Sequence, residues 1–253
     1  MRAVSGPVLS TQRETPDVAS SSEAYARRFA GPAGAYLLDV QSQATLTLLR
    51  PWPEATVLDV GGGHAQLCVP LIENGYAVTV LGSEPSCFAR PRALVSAQRV
   101  RCVTGDLVSL PFADRSFDVV TAFRMSAHVT RWRRMIAELC RVARRAVIID
   151  FAARWSVNLF SPVMFHLKKR IEGNTRPFNT LSHRAVRDVF IGCGYDVSAV
   201  IPEFFLPMVL HRMLKRPGAS RCVEAVCRGL GLTRLLGSPV ILCGVRRCDG
   251  PAG

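Results

Sequence analysis

What the sequence lacks narrows the field first. No stretch reaches the roughly 18 uninterrupted apolar residues of a membrane-spanning helix. The opening MRAVSGPVLSTQRETPDVASSSEAY has no long apolar core behind Arg2, so it does not read as a secretory signal. It predicts a disordered polar leader over 1–21 and a cytoplasmic protein. Nine cysteines are present, an odd number with no CxxC pair, which favours small buried hydrophobes over a disulfide framework or a metal site. The five histidines show no metal-ligand spacing, and no metal is expected. Internal repeats and low-complexity tracts are absent as well.

Acidic residues are scarce, and unevenly so. The chain carries 32 Lys+Arg against 19 Asp+Glu, a net charge of +13. Residues 1–125 hold 11 of each, whereas 126–253 hold 21 and 8, so the whole excess lies in the second half. That asymmetry predicts a surface facing something anionic. Only 3 of the cations are lysine. With 253 residues and 49% apolar side chains, the chain suits one α/β domain over 22–253 with an elaborated cap.

Hydrophobic patterning supplies the layout. Residues 22–50 read as helix, divided at Gly31-Pro32 and ended by Pro51-Trp52-Pro53. From Ala55 strand and helix alternate, with apolar strands at 55–60, 77–82, 100–106, 117–123 and 146–151. Helices are expected at 65–74, near 86–97, and at 131–143. A helix over 181–195 with a capping serine, then strands at 196–201 and 238–247, complete the pattern. Short apolar strands separated by helices imply a mostly parallel, seven-stranded, Rossmann-like sheet covered on both faces. Such sheets bind ligands beyond the carboxyl ends of their strands. The ligand-binding core of this sheet spans 55–151, and 152–180 and 204–236 read as a helical substrate cap.

One loop carries the chemistry. Asp59-Val60-Gly61-Gly62-Gly63-His64-Ala65 follows a strand and opens a helix, where glycine lets the backbone approach a ligand and the helix start favours a carboxylate or phosphate. By itself it fits nucleotide, dinucleotide and S-adenosylmethionine (SAM) sites alike. VLDVGGGHAQL (57–67) together with VTGDLVSLPFADRSFDVV (103–120) resembles the class I SAM-dependent methyltransferases of the small-molecule and lipid type. The likeness covers 55–150. It implies the class I methyltransferase fold and SAM as cofactor. Carried over by position, Asp59, Gly61, Gly62 and Gly63 would line the amino-acid end of SAM, Asp106 and Leu107 would contact adenine, and Phe123 and Arg124 would sit beside the cofactor. The acid that ends the second strand in the family is out of register in Leu81-Gly82-Ser83-Glu84, so either Ser83 or Glu84 would meet the ribose. A dehydrogenase would want glycine at the third position of GxGxxG, where Gln66 stands, and gives GDLVSLPF no role.

Methyl transfer needs alignment more than acid–base chemistry, and a base only where the acceptor must lose a proton. His128, after the fourth strand, and Asp150, ending the fifth, are the candidate catalytic groups; His166, His183 and His211 are weaker ones. Each cap segment sets bulky apolar residues beside cations, as with Trp155 to Phe165 before Lys168-Lys169-Arg170. That suits a small or amphiphilic acceptor (lipid, isoprenoid or phosphate-bearing) or peripheral contact with an anionic membrane. An RNA methyltransferase is the alternative, favoured by basic charge alone; a non-catalytic SAM-fold binding protein is another. Oligomeric state is not legible.

Overall fold

The computed structural model describes residues 13–92, 99–156, 179–214 and 216–247. Seven strands form one sheet: β1 (Thr56–Val60), β2 (Ala77–Gly82), β3 (Val100–Thr104), β4 (Phe117–Ala122), β5 (Ala143–Phe151), β6 (Tyr195–Pro202) and β7 (Val240–Arg246), in the order β3-β2-β1-β4-β5-β7-β6. Pairing is parallel from β3 to β5, and β7 runs antiparallel to both β5 and β6. This is the expected class I methyltransferase architecture.

Strand alternation sends side chains to two separate cores. Val57, Val78, Val80, Val119, Ile148 and Ile241 face one side with Leu49, Leu67 and Leu71. Leu58, Val120, Ile149 and Leu242 face the other with Met135, Ile136, Leu139, Val186 and Phe190. Strands buried on both faces lack polar alternation, which is why they read as continuous apolar runs.

The helices of the described residues are α1 (Pro16–Ser20), α2 (Glu23–Ala26), α3 (Gly31–Leu49), α4 (Cys68–Glu73), α5 (Trp132–Val142), α6 (His183–Gly192), α7 (Met208–Leu214), α8 (Pro217–Gly229) and α9 (Leu232–Leu236). Ser182 caps α6 as expected, its hydroxyl accepting from Ala185 N at 3.1 Å. Three expectations change. Residues 13–21 are not a loose leader, because α1 packs against the turns that follow β1 and β2 with Asp17 fully buried; residues 1–12 lie outside the described residues. Between 204 and 236 there are three helices rather than two, and Pro217-Gly218 opens α8 instead of breaking a helix. Proline fits the first helical turn, where its missing N–H costs nothing. Of the helix expected near 86–97, the described residues show a 3₁₀ turn at Pro85–Phe88 and a helical Arg92, and 93–98 lie outside the described residues. Most of the first cap segment, 157–178 with His166, Lys168, Lys169 and Arg170, also lies outside the described residues.

Candidate active site

The parallel strands bring the ends of β1, β2, β4 and β5 to one rim. Gly61 turns the chain there with φ +75°, a left-handed conformation that favours glycine, and its N–H donates to Leu81 O at 2.8 Å. A β-carbon at Gly61 would collide with the Met125 thioether, one at Gly62 with the Asp59 carboxylate, and one at Gly63 with the Ser21 hydroxyl and Cys87 carbonyl. The loop is therefore glycine because no space remains for side chains, and part of that space is taken by the N-terminal segment.

A cleft opens above the loop, lined by Ser20, Tyr25, Asp59, Gly61, Gly62, His64, Gln66, Phe123 and Arg124. The sequence-predicted cofactor residues Asp59, Gly61, Gly62, Phe123 and Arg124 thus meet in one place. Asp59 is buried and accepts from Thr121 Oγ1 at 2.8 Å; burial pushes its carboxyl up to about 7 against that hydrogen bond. His64 sits between Tyr25 and Phe29, ring centroids 5.8 and 5.7 Å away. Burial, then the charges of Arg124 and Arg90, lower its pKa to about 4, so it is neutral at physiological pH.

Behind the cleft runs a polar network. The Arg124 guanidinium stacks over Phe29 at 4.1 Å and donates to Gln41 Oε1 at 3.3 Å, while its backbone N–H donates to Asp150 Oδ1 at 2.5 Å. Arg124 adopts φ +63°, strained for a residue with a side chain. Gln66 Nε2 also donates to Gln41 Oε1, at 2.6 Å, and Gln41 Nε2 donates to Glu203 Oε1 at 3.1 Å. Asp150 and Glu203 are almost fully buried. Burial raises Asp150 to about 6 despite Arg124. Burial and the Asp150 charge raise Glu203 to about 8, against Gln41 and Arg124.

The other predicted residues are placed differently. Gly63 lies under Ser21. Ser83 is buried and donates to Asp17, while Glu84 is exposed and accepts from Ser86 Oγ at 3.4 Å. Asp106, at the tip of β3, accepts from Val108 N at 3.0 Å, and Leu107 is fully buried in the core. His128 N donates to Met125 O at 2.9 Å in the turn after β4, and its residue does not line the cleft. Neither does Asp150, which touches the site through Arg124. His183 packs edge-on against Phe151 at 5.3 Å. His211 is fully buried, 3.1 Å from Glu224 Oε1, and holds α7 to α8. Asp17, Tyr25, Gln41 and Glu203 escaped the sequence reading; they come from the supposed leader, a short helix after it, the middle of α3 and the segment after β6, where no local motif marks them. Gln66 lies inside the glycine-loop motif but counts there only against a dehydrogenase.

The donor set fits a zwitterionic nucleoside cofactor. Both His64 ring nitrogens, Gln66 Oε1 and Arg124 Nη1 are buried with no hydrogen-bond partner among the described residues. Buried polar groups ordinarily find partners, so these are poised for a ligand carrying both donors and acceptors.

Residues 58–149 match the family described as the methyltransferase domain. That match falls on the half of the sheet that carries the glycine loop, and the strand order is that of the class I methyltransferase fold. The chain's relatives include the ubiquinone/menaquinone biosynthesis C-methyltransferase of Roseobacter denitrificans, 33% identical over 44% of this chain and 48% of that protein. The demethylmenaquinone methyltransferase of Roseiflexus castenholzii is 36% identical over 40% and 48% respectively. The chain thus spans about half the length of the curated relatives it matches. Among solved structures, the magnesium protoporphyrin IX methyltransferase of Synechocystis with bound SAH superposes at a TM-score of 0.59, with 16% identity over 89% of this chain and 93% of that one, a likeness of fold.

Proposed function

We propose that the chain transfers a methyl group from SAM to an amphiphilic, hydroxyl-bearing ring acceptor of the isoprenoid quinol type. The observation that carries the first half is the cleft where Asp59, the glycine loop, Gln66 and Arg124 converge with unpartnered polar atoms. The relatives named above supply the acceptor class. When bound, SAM supplies a methyl group already activated on a sulfonium. The chain's own residues then bind, orient and exclude water. Arg124 Nη1, Gln66 and His64 would hold the amino-acid end of the cofactor, and Asp106 at the β3 tip its adenine. Asp150 and Glu203 hold Arg124 and Gln41 in place. A phenolic acceptor must also lose a proton, and His128 is our candidate to take it, with Asp150 the second.

The cap gives the acceptor a route. Among the described residues, six of the ten exposed large hydrophobics lie in 24 residues: Met213, Val223, Val226, Leu230, Leu235 and Leu236. Val223, Val226 and Leu230 stand at i, i+3 and i+7, on one face of α8 and its C-cap. Arg216, Arg221, Arg228 and Arg234 are exposed around them. The acid among the described residues of 208–236, Glu224, is buried and bonded to Phe205 N, Leu206 N and His211. Apolar side chains ringed by uncompensated arginines complement an anionic lipid surface.

The test is methyl transfer from labelled SAM by the full chain, with a demethylated quinol, a lipid extract and total RNA as parallel acceptors. Label in the quinol or lipid is expected. Label in RNA alone would overturn the acceptor, and tight SAM binding without transfer to any acceptor would favour a binding protein.

A further inference from the structure

The tip of β2 lacks an acid of its own. Ser83 is buried but carries only a hydroxyl, and the Glu84 carboxylate is exposed to solvent. A carboxylate nevertheless stands there, and it belongs to Asp17, 66 residues earlier in the chain. Asp17 Oδ2 accepts from Ser83 N at 2.6 Å and from Cys87 Sγ at 3.3 Å, and Oδ1 accepts from Ser83 Oγ at 2.5 Å. The residue is fully buried.

Asp17 is delivered by a strap that runs along the rim. At one end Glu14 accepts from Thr130 N, Arg131 N and Arg131 Nε, at the start of α5. Next, Asp17 meets the tip of β2, and Ser20 and Ser21 reach the cleft and Gly63 after β1. Glu23 then pairs with Arg90 at 3.2 Å, whose Nε donates to His64 O at 3.2 Å. Tyr25 and Phe29 close against His64 and Arg124. Residues 14–29 therefore touch three of the strand ends that build the site.

An ionised carboxylate offers about four acceptor positions, and three are taken here. Oδ1 is held by a hydroxyl alone, so a ligand hydroxyl can replace that partner like for like. In dinucleotide-binding folds an acid beyond the second strand takes the ribose hydroxyls, which shows how a carboxylate at this place recognises a diol. We propose that Asp17 is the carboxylate that binds the ribose diol of SAM, so that cofactor capture and strap closure are a single equilibrium. The inference rests on the reading of the cleft as a SAM site. A buried Asp17 is reached only when the strap lifts, so each round of binding passes through an opened strap that the diol then draws shut.

The test is calorimetry of the full chain with S-adenosylhomocysteine and with its analogue lacking both ribose hydroxyls. Wild type should lose about tenfold or more in affinity for the analogue, the usual effect of a hydrogen bond lost to a charged group. Asp17→Asn should bind the parent compound weakly and barely distinguish the two, whereas Glu84→Gln should behave as wild type. A second readout needs no variant: the parent compound should slow tryptic cleavage after Arg27 and Arg28, and the analogue should not. Full discrimination in Asp17→Asn, loss of discrimination in Glu84→Gln, or equal protection by both compounds overturns the assignment while leaving the SAM site intact. No binding of S-adenosylhomocysteine by wild type removes both.

Discussion

Glu203 shows how a single residue couples the site to stability. Its carboxyl is raised from an ordinary 4.5 to about 8 by burial and by Asp150. Between those values the native protein keeps a proton that the unfolded chain has released. Unfolding then sheds a proton, so stability is fully present below about pH 4.5 and falls as pH rises to about 8. Glu203→Gln keeps the bond with Gln41 and removes the titration. Thermal melts from pH 5 to 8 should fall less steeply in the variant, which should be the more stable protein at pH 8 by a few degrees, at about 2–4 °C per kcal/mol for a chain this size. Asp150 and Asp59, raised to about 6 and 7, leave a residual slope that ends near pH 7. Identical pH profiles for the two proteins would mean that Glu203 is ionised in the native state. Glu203 follows β6 in an irregular stretch, and only its packing against α3 and Arg124 makes it a partner of the site.

At the scale of elements, α5 is the brace under β4 and β5. Met135, Ile136 and Leu139 recur at helical spacing and are all fully buried against the sheet. Glu138 on the same helix accepts from Leu110 N at 2.8 Å and from Arg141, tying the turn after Asp106 to the helix. Leu139→Ala should destabilise the protein by about 2–5 kcal/mol, the cost of lost burial plus a cavity that closes only in part. Urea unfolding would measure it, and a loss under about 1 kcal/mol would mean the layer relaxes into the gap. This helix and the five parallel strands were legible in the sequence because burial sets their periodicity directly. The strap was not. Its residues are polar and short of apolar repeats, and its order comes from Glu14 and Asp17 meeting donors more than 60 positions away.

For the molecule as a whole, part of the charge asymmetry has a location. Arg216, Arg221, Arg228 and Arg234 are exposed on the same α8–α9 segment as the exposed Val223, Val226, Leu230, Leu235 and Leu236, in the half of the chain that holds the entire excess. Vesicles with acidic lipids should bind the protein more tightly than neutral ones, and less so as salt rises, because exposed charges are screened over about 8–10 Å. Leu230→Ser with Leu235→Ser and Leu236→Ser should weaken vesicle binding and leave affinity for S-adenosylhomocysteine unchanged. Equal binding to both vesicle types would sink the docking surface. A dimer in sedimentation that dissociates in the triple variant would assign the face to a second copy of the chain.

The sequence by itself determined the doubly covered sheet, the glycine loop and the class of cofactor. Those features rest on local rules: strands buried on both faces need apolar residues throughout, and a backbone turning against the sheet at Gly61 has no room for a β-carbon. Only the tertiary structure decided which carboxylates are buried at the rim. Acids are recognised by what they face rather than by their neighbours in sequence. Glu84, in nearly the right place along the chain, points into solvent, whereas Asp17 and Glu203, from opposite ends of it, are buried at the same rim.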